Sequence, residues 1–410
     1  MWETPKKDQD YHLNFAEWWQ RDVESWVKRD RNHPSVLIWS IGNEIRETFD
    51  PSGLRIAKNL TGEIRKFDKA RFVTECFNDF AWMRGQPSKW DSIPEHMALF
   101  DLIGYNYAYK RYESDHIKYP DRVMVGTETN PPLALENYEI VKKLPYVIGY
   151  FVWTAMDNIG EAGVGLPLLR DIVPANNPAS AGAANPQTSG APGQVIQAGN
   201  VPQGLQGPGP GGPPAAAAGG GFFRRDVWPV YTNYQGDIDL VGNRKVPSFY
   251  QHVVWGKSKV ELFVHRPIPE GKKEQISNWG FPDELKSWNW VGQEGKKFTI
   301  HVYTRSQQVK LELNGKIVGE QNVDPGKSIT ATFEVPYEPG TLIARCYDNG
   351  KETASQTLKT TGKPASVRLV ADRTNIKADR NDLSYVMAEI IDADGNVVLP
   401  SGSLCDARDL

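Results

Sequence analysis

Between residues 10 and 31, Phe15, Trp18, Trp19, Val23, Trp26 and Val27 recur at steps of three and four, the spacing of one buried helical face. Asn32, His33 and Pro34 break that period, and Val36-Leu37-Ile38-Trp39-Ser40-Ile41 follows as a short, almost wholly apolar run. Such a run predicts a strand buried on both faces, as in a parallel sheet. The alternation then repeats. A helical stretch near residues 54–67 precedes Arg71-Phe72-Val73-Thr74, and residues 99–107 read as another strand. Residues 122–127 are strand-like, 135–144 helical and 147–154 strand-like again. Five short buried strands alternating with helices predict a βα architecture, either a barrel or a doubly wound sheet.

Residues 172–221 differ in kind. They contain no charged and no aromatic side chain and are dominated by Pro, Gly, Ala, Asn and Gln. A segment so poor in apolar bulk is predicted to be disordered. From about Lys257 the period changes to two. Residues 298–304 alternate, and residues 309–313 run into Asn314-Gly315, a strong signal for a tight hairpin. Asn349-Gly350 marks a second such turn, so a β-sandwich of ordinary size is expected here. Lys363-Pro364 opens a further β segment, residues 367–370 and 385–398, with a turn at Asp394-Gly395. Residues 401–410 have no strand pattern.

Composition narrows the class without identifying it. With 410 residues, 40% apolar and 24% charged, the chain suits two or three soluble domains. A net charge of −3 gives no general attraction to nucleic acid or to an anionic membrane. No stretch is long and apolar enough to span a bilayer as a helix. The 3 cysteines, Cys76, Cys346 and Cys405, form no metal-like spacing and no evident disulfide framework. The 13 tryptophans suit buried cores, and equally the stacking of apolar sugar faces on indole.

Two strand ends carry the chemistry. The run from Asn32 to Glu44 delivers Asn43-Glu44 at the C-terminal end of a buried strand, the face on which barrel active sites are built. A partly desolvated carboxyl there would have a raised pKa and suit a general acid. Val123-Met124-Val125-Gly126-Thr127-Glu128 is a second apolar strand ending in glutamate. Two such carboxyls facing one cleft suit glycoside hydrolysis, one protonating the leaving oxygen and the other attacking the anomeric carbon. A lone strand-end glutamate is more often a cap or an ion-pair partner, so spacing by itself leaves both readings open.

The run from Arg31 to Glu44 resembles the acid/base signature of glycoside hydrolase family 2, where Asn-Glu closes the fourth barrel strand. Gly126-Thr127-Glu128 is similar to that family's nucleophile strand, the seventh. Val152-Trp153-Thr154 resembles the eighth, whose Trp forms the platform of the sugar subsite. Asp101-Leu-Ile-Gly-Tyr-Asn-Tyr107 is similar to the sixth, where a tyrosine bonds the nucleophile. The resemblance therefore implies Glu44 and Glu128 as catalytic, and Asn43, Tyr107 and Trp153 as substrate-binding, with Tyr105 the fallback for Tyr107. It extends to residues 234–255, which look like the closing segment and last helix of β-galactosidase-like members, and to the sandwich that follows.

On that basis the fold expected is α/β plus all-β, a partial (β/α)8 TIM barrel followed by immunoglobulin-like β-sandwich domains. The divisions are 1–170 for barrel strands four to eight, 171–227 for the insertion and 228–255 for the closing segment. The sandwich takes 256–362, and 363–410 is the start of a truncated module. Met1-Trp2-Glu3 resembles the end of barrel strand three, so a C-terminal fragment with exposed apolar sheet edges is expected.

The activity implied is that of a retaining exo-β-glycosidase on β-galactosides, or the same chemistry on β-glucuronides or β-mannosides. The competing reading is an inactive fragment that binds carbohydrate. No organic cofactor is implied, and a Mg²⁺ or Na⁺ ion is compatible with the family. The expected partner is a glycoside or oligosaccharide, with no nucleic acid and no membrane; an oligomer is compatible. A periplasmic or secreted location is implied by resemblance alone. Asn243 and Lys245 form an Asn-x-Lys pair like one that contacts the sugar carboxylate in β-glucuronidases, but its place before the last helix favours coincidence. Asp157 and Glu161 are read as loop caps, His33 as structural and Glu75 as an orienting group at most. Trp279, Trp288 and Trp290 are read as core.

Overall fold

The computed structural model describes residues 1–78, 88–172 and 230–398. The expected disordered stretch (apart from Ile172), Cys405 and residues 401–410 lie outside them. The chain divides into two compact units, Met1–Ala155 and a second running from Met156 onward. The residues expected to close the barrel, 230–255, fall in the second.

In the first unit five strands, β1 (Ile38–Asn43), β2 (Phe72–Phe77), β3 (Ile103–Asn106), β4 (Met124–Thr129) and β5 (Val147–Val152), form one parallel sheet in sequence order. Neighbour following neighbour without a reversal is barrel winding; a doubly wound sheet reverses its order partway. Helices α1 (His12–Asp30), α2 (Pro51–Phe67), α3 (Pro94–Met97), α4 (Tyr112–Lys118) and α5 (Ala134–Lys143) precede and separate the strands. Helix α1 buries Phe15, Val23 and Val27, with Trp19 and Trp26 packed against the same core. Trp18 turns outward instead, under the Arg21 guanidinium. Proline opens α2 at its first position, where its missing N–H costs nothing. Ile56, Ala57, Leu60 and Ile64 of α2 join Trp39, Val73, Phe77 and Ile103 of the strands in that core. The open sheet leaves Leu37, Phe72, Ile148 and Phe151 exposed, as an unclosed barrel would.

One buried charge ties the outer layer to the sheet. Asp115, 0% exposed, accepts from Trp90 Nε1 at 2.8 Å and Tyr105 Oη at 2.9 Å, and pairs with Arg122 and Arg111. Removing it would leave the Arg122 guanidinium buried without its counter-charge. Asp115→Ala is expected to cost about 3–5 kcal/mol, read as a lower midpoint in urea unfolding of the chain. An unchanged midpoint would mean that the hub is dispensable.

The second unit holds α6 (Val246–Val254) and two four-stranded antiparallel sheets. With β6 (Leu168–Asp171) pairing β8 (Lys272–Gln275) outside them, one sheet is β13-β10-β7-β9 and the other β12-β11-β14-β15. Their ranges are β7 Val260–His265, β9 Glu284–Leu285, β10 Lys297–Thr304, β11 Gln308–Leu313, β12 Lys316–Asn322, β13 Thr330–Pro336, β14 Thr341–Asp348 and β15 Lys351–Lys359. Alternating residues face one core, Val309, Leu311 and Leu313 from β11 against Leu342, Ala344 and Cys346 from β14. Both hairpins carry left-handed pairs, Asn314 (φ 51°) with Gly315 (80°) and Asn349 (51°) with Gly350 (79°), as type I′ turns require. Trp288 and Trp290 are fully buried in this core, and Trp279 is half-buried. A last hairpin, β16 (Ser366–Ala371) with β17 (Val386–Ile391), follows.

Candidate active site

The polar residues gather where β1, β3 and β4 end. Strand β1 runs to Asn43, and Glu44 steps off it with φ 51°, its N–H bonded to Cys76 O at 2.8 Å. Tyr107 leaves β3 the same way, with φ 55° and its N–H on Glu128 O at 2.8 Å. A left-handed step costs a non-glycine residue about 1–2 kcal/mol, and such steps cluster at functional sites. Between β3 and β4 the register slips: Tyr105 faces Gly126, but Asn106 faces Glu128. The extra residue, Thr127, is the bulge that sets Asn106 opposite the glutamate.

Side-chain bonds join these ends into one cluster. Asn106 Nδ2 donates to Asn43 Oδ1 at 2.9 Å and to Glu44 Oε1 at 3.1 Å. Asn78 Nδ2 also donates to Glu44 Oε1, at 3.1 Å. Lys6 Nζ donates to Asn43 O at 3.3 Å and lies 3.9 Å from Glu44 Oε2. Asn43 and Tyr107 both donate to the Glu128 carboxylate. Beneath the pair, Thr127 Oγ1 donates to Asn106 Oδ1 at 2.6 Å, and Cys76 Sγ meets Ser40 Oγ at 3.6 Å. Trp153 directly follows β5, its N–H on Thr129 O at 3.0 Å; β5 is the neighbour of the Glu128 strand.

Burial, and then the like charge of Glu44, push the Glu128 carboxyl up to about 7, against the hydrogen bonds of Tyr107 and Asn43 and the charge of Lys6. The sequence reading expects the raised group at Glu44; the rise falls on Glu128. Burial is the larger part of that rise and the charge of Glu44 the smaller, while Asn43 and Tyr107, one amide and one phenol, oppose both.

Glu44, Glu128, Asn43 and Tyr107 are thus brought together, whereas Tyr105 is not: its hydroxyl is spent on Asp115. Glu75 is wholly buried, accepting from Thr48 Oγ1 at 2.6 Å and paired with His96 at 2.8 Å. His33 lies outside this cluster, its backbone oxygen accepting from Val36 N and from Arg71. In the second unit Lys245 is held by Asp157 at 2.7 Å and Tyr234 O at 2.7 Å, and Asn243 by Asp239. Asp157 also accepts from Gly236 N. Glu161 sits at φ 47° with its carboxyl raised by burial. Sequence reading missed Lys6, Asn78 and Asn106. Asn106 lay inside a strand singled out for its tyrosines, and its position beside Glu128 depends on the bulge. Among the described residues no group of three or more His, Cys, Asp or Glu could hold a metal ion.

The family model described as glycosyl hydrolases family 2, TIM barrel domain, matches residues 8–132, and one described as a domain of unknown function matches 295–354. A β-galactosidase of Bacteroides ovatus is 27% identical, over 97% of this chain and 45% of that protein. A β-glucuronidase of Chlorocebus aethiops is 28% identical over 34% of this chain and 26% of its own length. A solved glycosyl hydrolase family 2 member from Bacteroides cellulosilyticus superposes with a TM-score of 0.76 at 32% identity, over 97% of this chain and 44% of that one. The chain spans less than half the length of these relatives.

Proposed function

The barrel segment of this chain belongs to glycoside hydrolase family 2, and from that premise we propose that the protein is a retaining exo-β-glycosidase acting on β-galactosides. One observation carries the reading. Glu44 and Glu128, from strands that are not neighbours, are linked through the side-chain amides of Asn106 and Asn43. Two carboxyls tied into one hydrogen-bonded cluster at the strand ends, one of them buried beside the other's charge, suit the acid/base and nucleophile pair of double displacement.

In the first step Glu128 attacks the anomeric carbon while Glu44 gives its proton to the glycosidic oxygen; the C–O bond breaks and a glycosyl ester of Glu128 forms. In the second, ionised Glu44 takes a proton from water, whose oxygen displaces Glu128 from the same carbon. Asn43 and Tyr107 hold the Glu128 carboxylate ready, and Trp153 would face the sugar as its platform.

Galactosides are favoured over glucuronides on two grounds. Of two relatives matched along nearly the whole chain, the one at 27% identity is named a β-galactosidase and the one at 23% a putative β-glucuronidase. Lys245, the cation of the Asn-x-Lys pair, is already bound by Asp157 and Tyr234 O. Nitrophenyl β-galactoside, β-glucuronide and β-mannoside, assayed side by side on the full-length protein, test the choice. Cleavage of the galactoside with a β-configured first product is expected. A preference for another sugar would overturn the substrate assignment, and an α-configured first product the retaining mechanism.

The pH profile follows from the raised nucleophile. Below about 7 the Glu128 carboxyl holds a proton and cannot attack the anomeric carbon. The kcat/KM for a nitrophenyl glycoside should therefore rise as pH rises through about 7. A rate already level at about pH 5 would contradict the raised carboxyl.

A further inference from the structure

The strand ends carry a hydrogen-bond chain whose direction the two catalytic assignments leave unexplained. It runs from Thr127 Oγ1 to Asn106 Oδ1, from Asn106 Nδ2 to both Asn43 Oδ1 and Glu44 Oε1, and from Asn43 on to Glu128. Asn106 is 1% exposed, so its amide has no water to fall back on. Turned over, it would set its oxygen against Asn43 Oδ1 and the Glu44 carboxylate, three acceptors with no proton between them. Its neighbours therefore fix which way it points.

The second feature is convergence. Asn106 and Asn78 both donate to the same oxygen of Glu44, Oε1, each at 3.1 Å. Oε2 receives neither, and Lys6 Nζ stands 3.9 Å from it, beyond hydrogen-bond reach. An oxygen that already accepts two N–H bonds is the poorer seat for a proton, because protonation would set O–H against N–H.

We propose that Asn106 is a positioning residue: locked by Thr127 and helped by Asn78, it pins Oε1 of Glu44 and leaves Oε2 as the oxygen that gives and takes the proton. The inference rests on the glycosidase reading above. In the first step the proton passes from Oε2 to the glycosidic oxygen as its bond to the anomeric carbon breaks; in the second Oε2 receives the proton of the attacking water. Through Asn43 the same amide also fixes a donor on Glu128, so one side chain orders both carboxyls.

The test compares leaving groups in the full-length protein. A phenyl glycoside needs the proton to depart, whereas a dinitrophenyl glycoside leaves unaided. Asn106→Ala should lower kcat/KM about 100-fold on the phenyl substrate and no more than about tenfold on the dinitrophenyl one. Thr127→Val, which frees the amide without removing it, should cost about tenfold on the phenyl substrate alone. Asn106→Asp, similar in shape but acidic, adds a negative charge near Glu128 and should move the rise of the pH profile upward; it stands in should the alanine variant not fold. Equal losses on both substrates, or no loss on either, would overturn the positioning role. Full activity in Glu44→Gln would overturn the functional reading itself.

Discussion

Glu128→Gln should be inactive and yet more stable than the wild type above neutral pH. Removing the covalent nucleophile from groups that act as a unit costs on the order of 10⁴–10⁶ in turnover, because no bond to the anomeric carbon can form. The stability gain comes from the same carboxyl. Its value in the folded chain, about 7, lies above its ordinary 4.5, so the folded protein holds this proton more tightly than the unfolded one. That contribution is fully present below about 4.5 and is lost as pH rises through about 7. At pH 8 the wild type must keep a desolvated carboxylate beside Glu44. Glutamine keeps the shape, still accepts from Tyr107 and has no charge to bury. Melting curves at pH 5 and pH 8 should therefore show a variant advantage at pH 8 that shrinks toward pH 5. A 2-fluoro glycoside with a good leaving group should add its mass to Glu128 in the wild type and to nothing in the variant. Residual full activity, or an adduct elsewhere, would move the nucleophile to another residue.

The sheet was legible because its strands carry apolar residues on both faces, even though the open sheet leaves some of them exposed and β1 buries only Trp39 fully. Val36 to Ile41 and Val123 to Thr127 stand out as apolar runs, and both fall on strands, β1 and β4. Their ends were less so. The structure carries β1 on to Asn43 and β4 to Thr129, since pairing with β2 and β5 continues a strand after its hydrophobicity has stopped. The hairpins at Asn314-Gly315 and Asn349-Gly350 were readable because only such residues take two left-handed steps in succession at low cost.

The site was legible in part, and the boundary has a physical cause. Glu44 and Glu128 announce themselves as charges closing apolar runs. Asn78 and Asn106 do not: a neutral amide at a strand end looks like any turn residue until its partners are known. Those partners lie 34 and 62 residues away along the chain, and the Asn106 contact needs the one-residue slip at Thr127. Lys6 precedes the first helix and reads as a solvated charge. Electrostatics were legible least of all. The rise of Glu128 comes from how far the fold strips its carboxyl of water and from the charge set beside it, neither of which the sequence displays.

Glu44→Ala should separate the two halves of the reaction. On a phenyl glycoside kcat/KM should fall by about 10²–10⁴, the usual worth of general acid catalysis. On a dinitrophenyl glycoside the first step needs no proton and should be nearly spared. Its second step still lacks a base, so the glycosyl ester of Glu128 should accumulate, seen as a burst of dinitrophenolate followed by slow turnover. Azide is already an anion and needs no base to attack that ester. Added to the variant it should restore turnover and yield a β-configured glycosyl azide, while leaving the wild type little changed. The substitution also removes the like charge that helps to hold the Glu128 carboxyl near 7. The rise of the dinitrophenyl profile should then move to lower pH, with ionised Glu128 persisting there. Equal losses on both leaving groups, with no response to azide, would mean that Glu44 supports the fold of the site rather than the transfer of its proton.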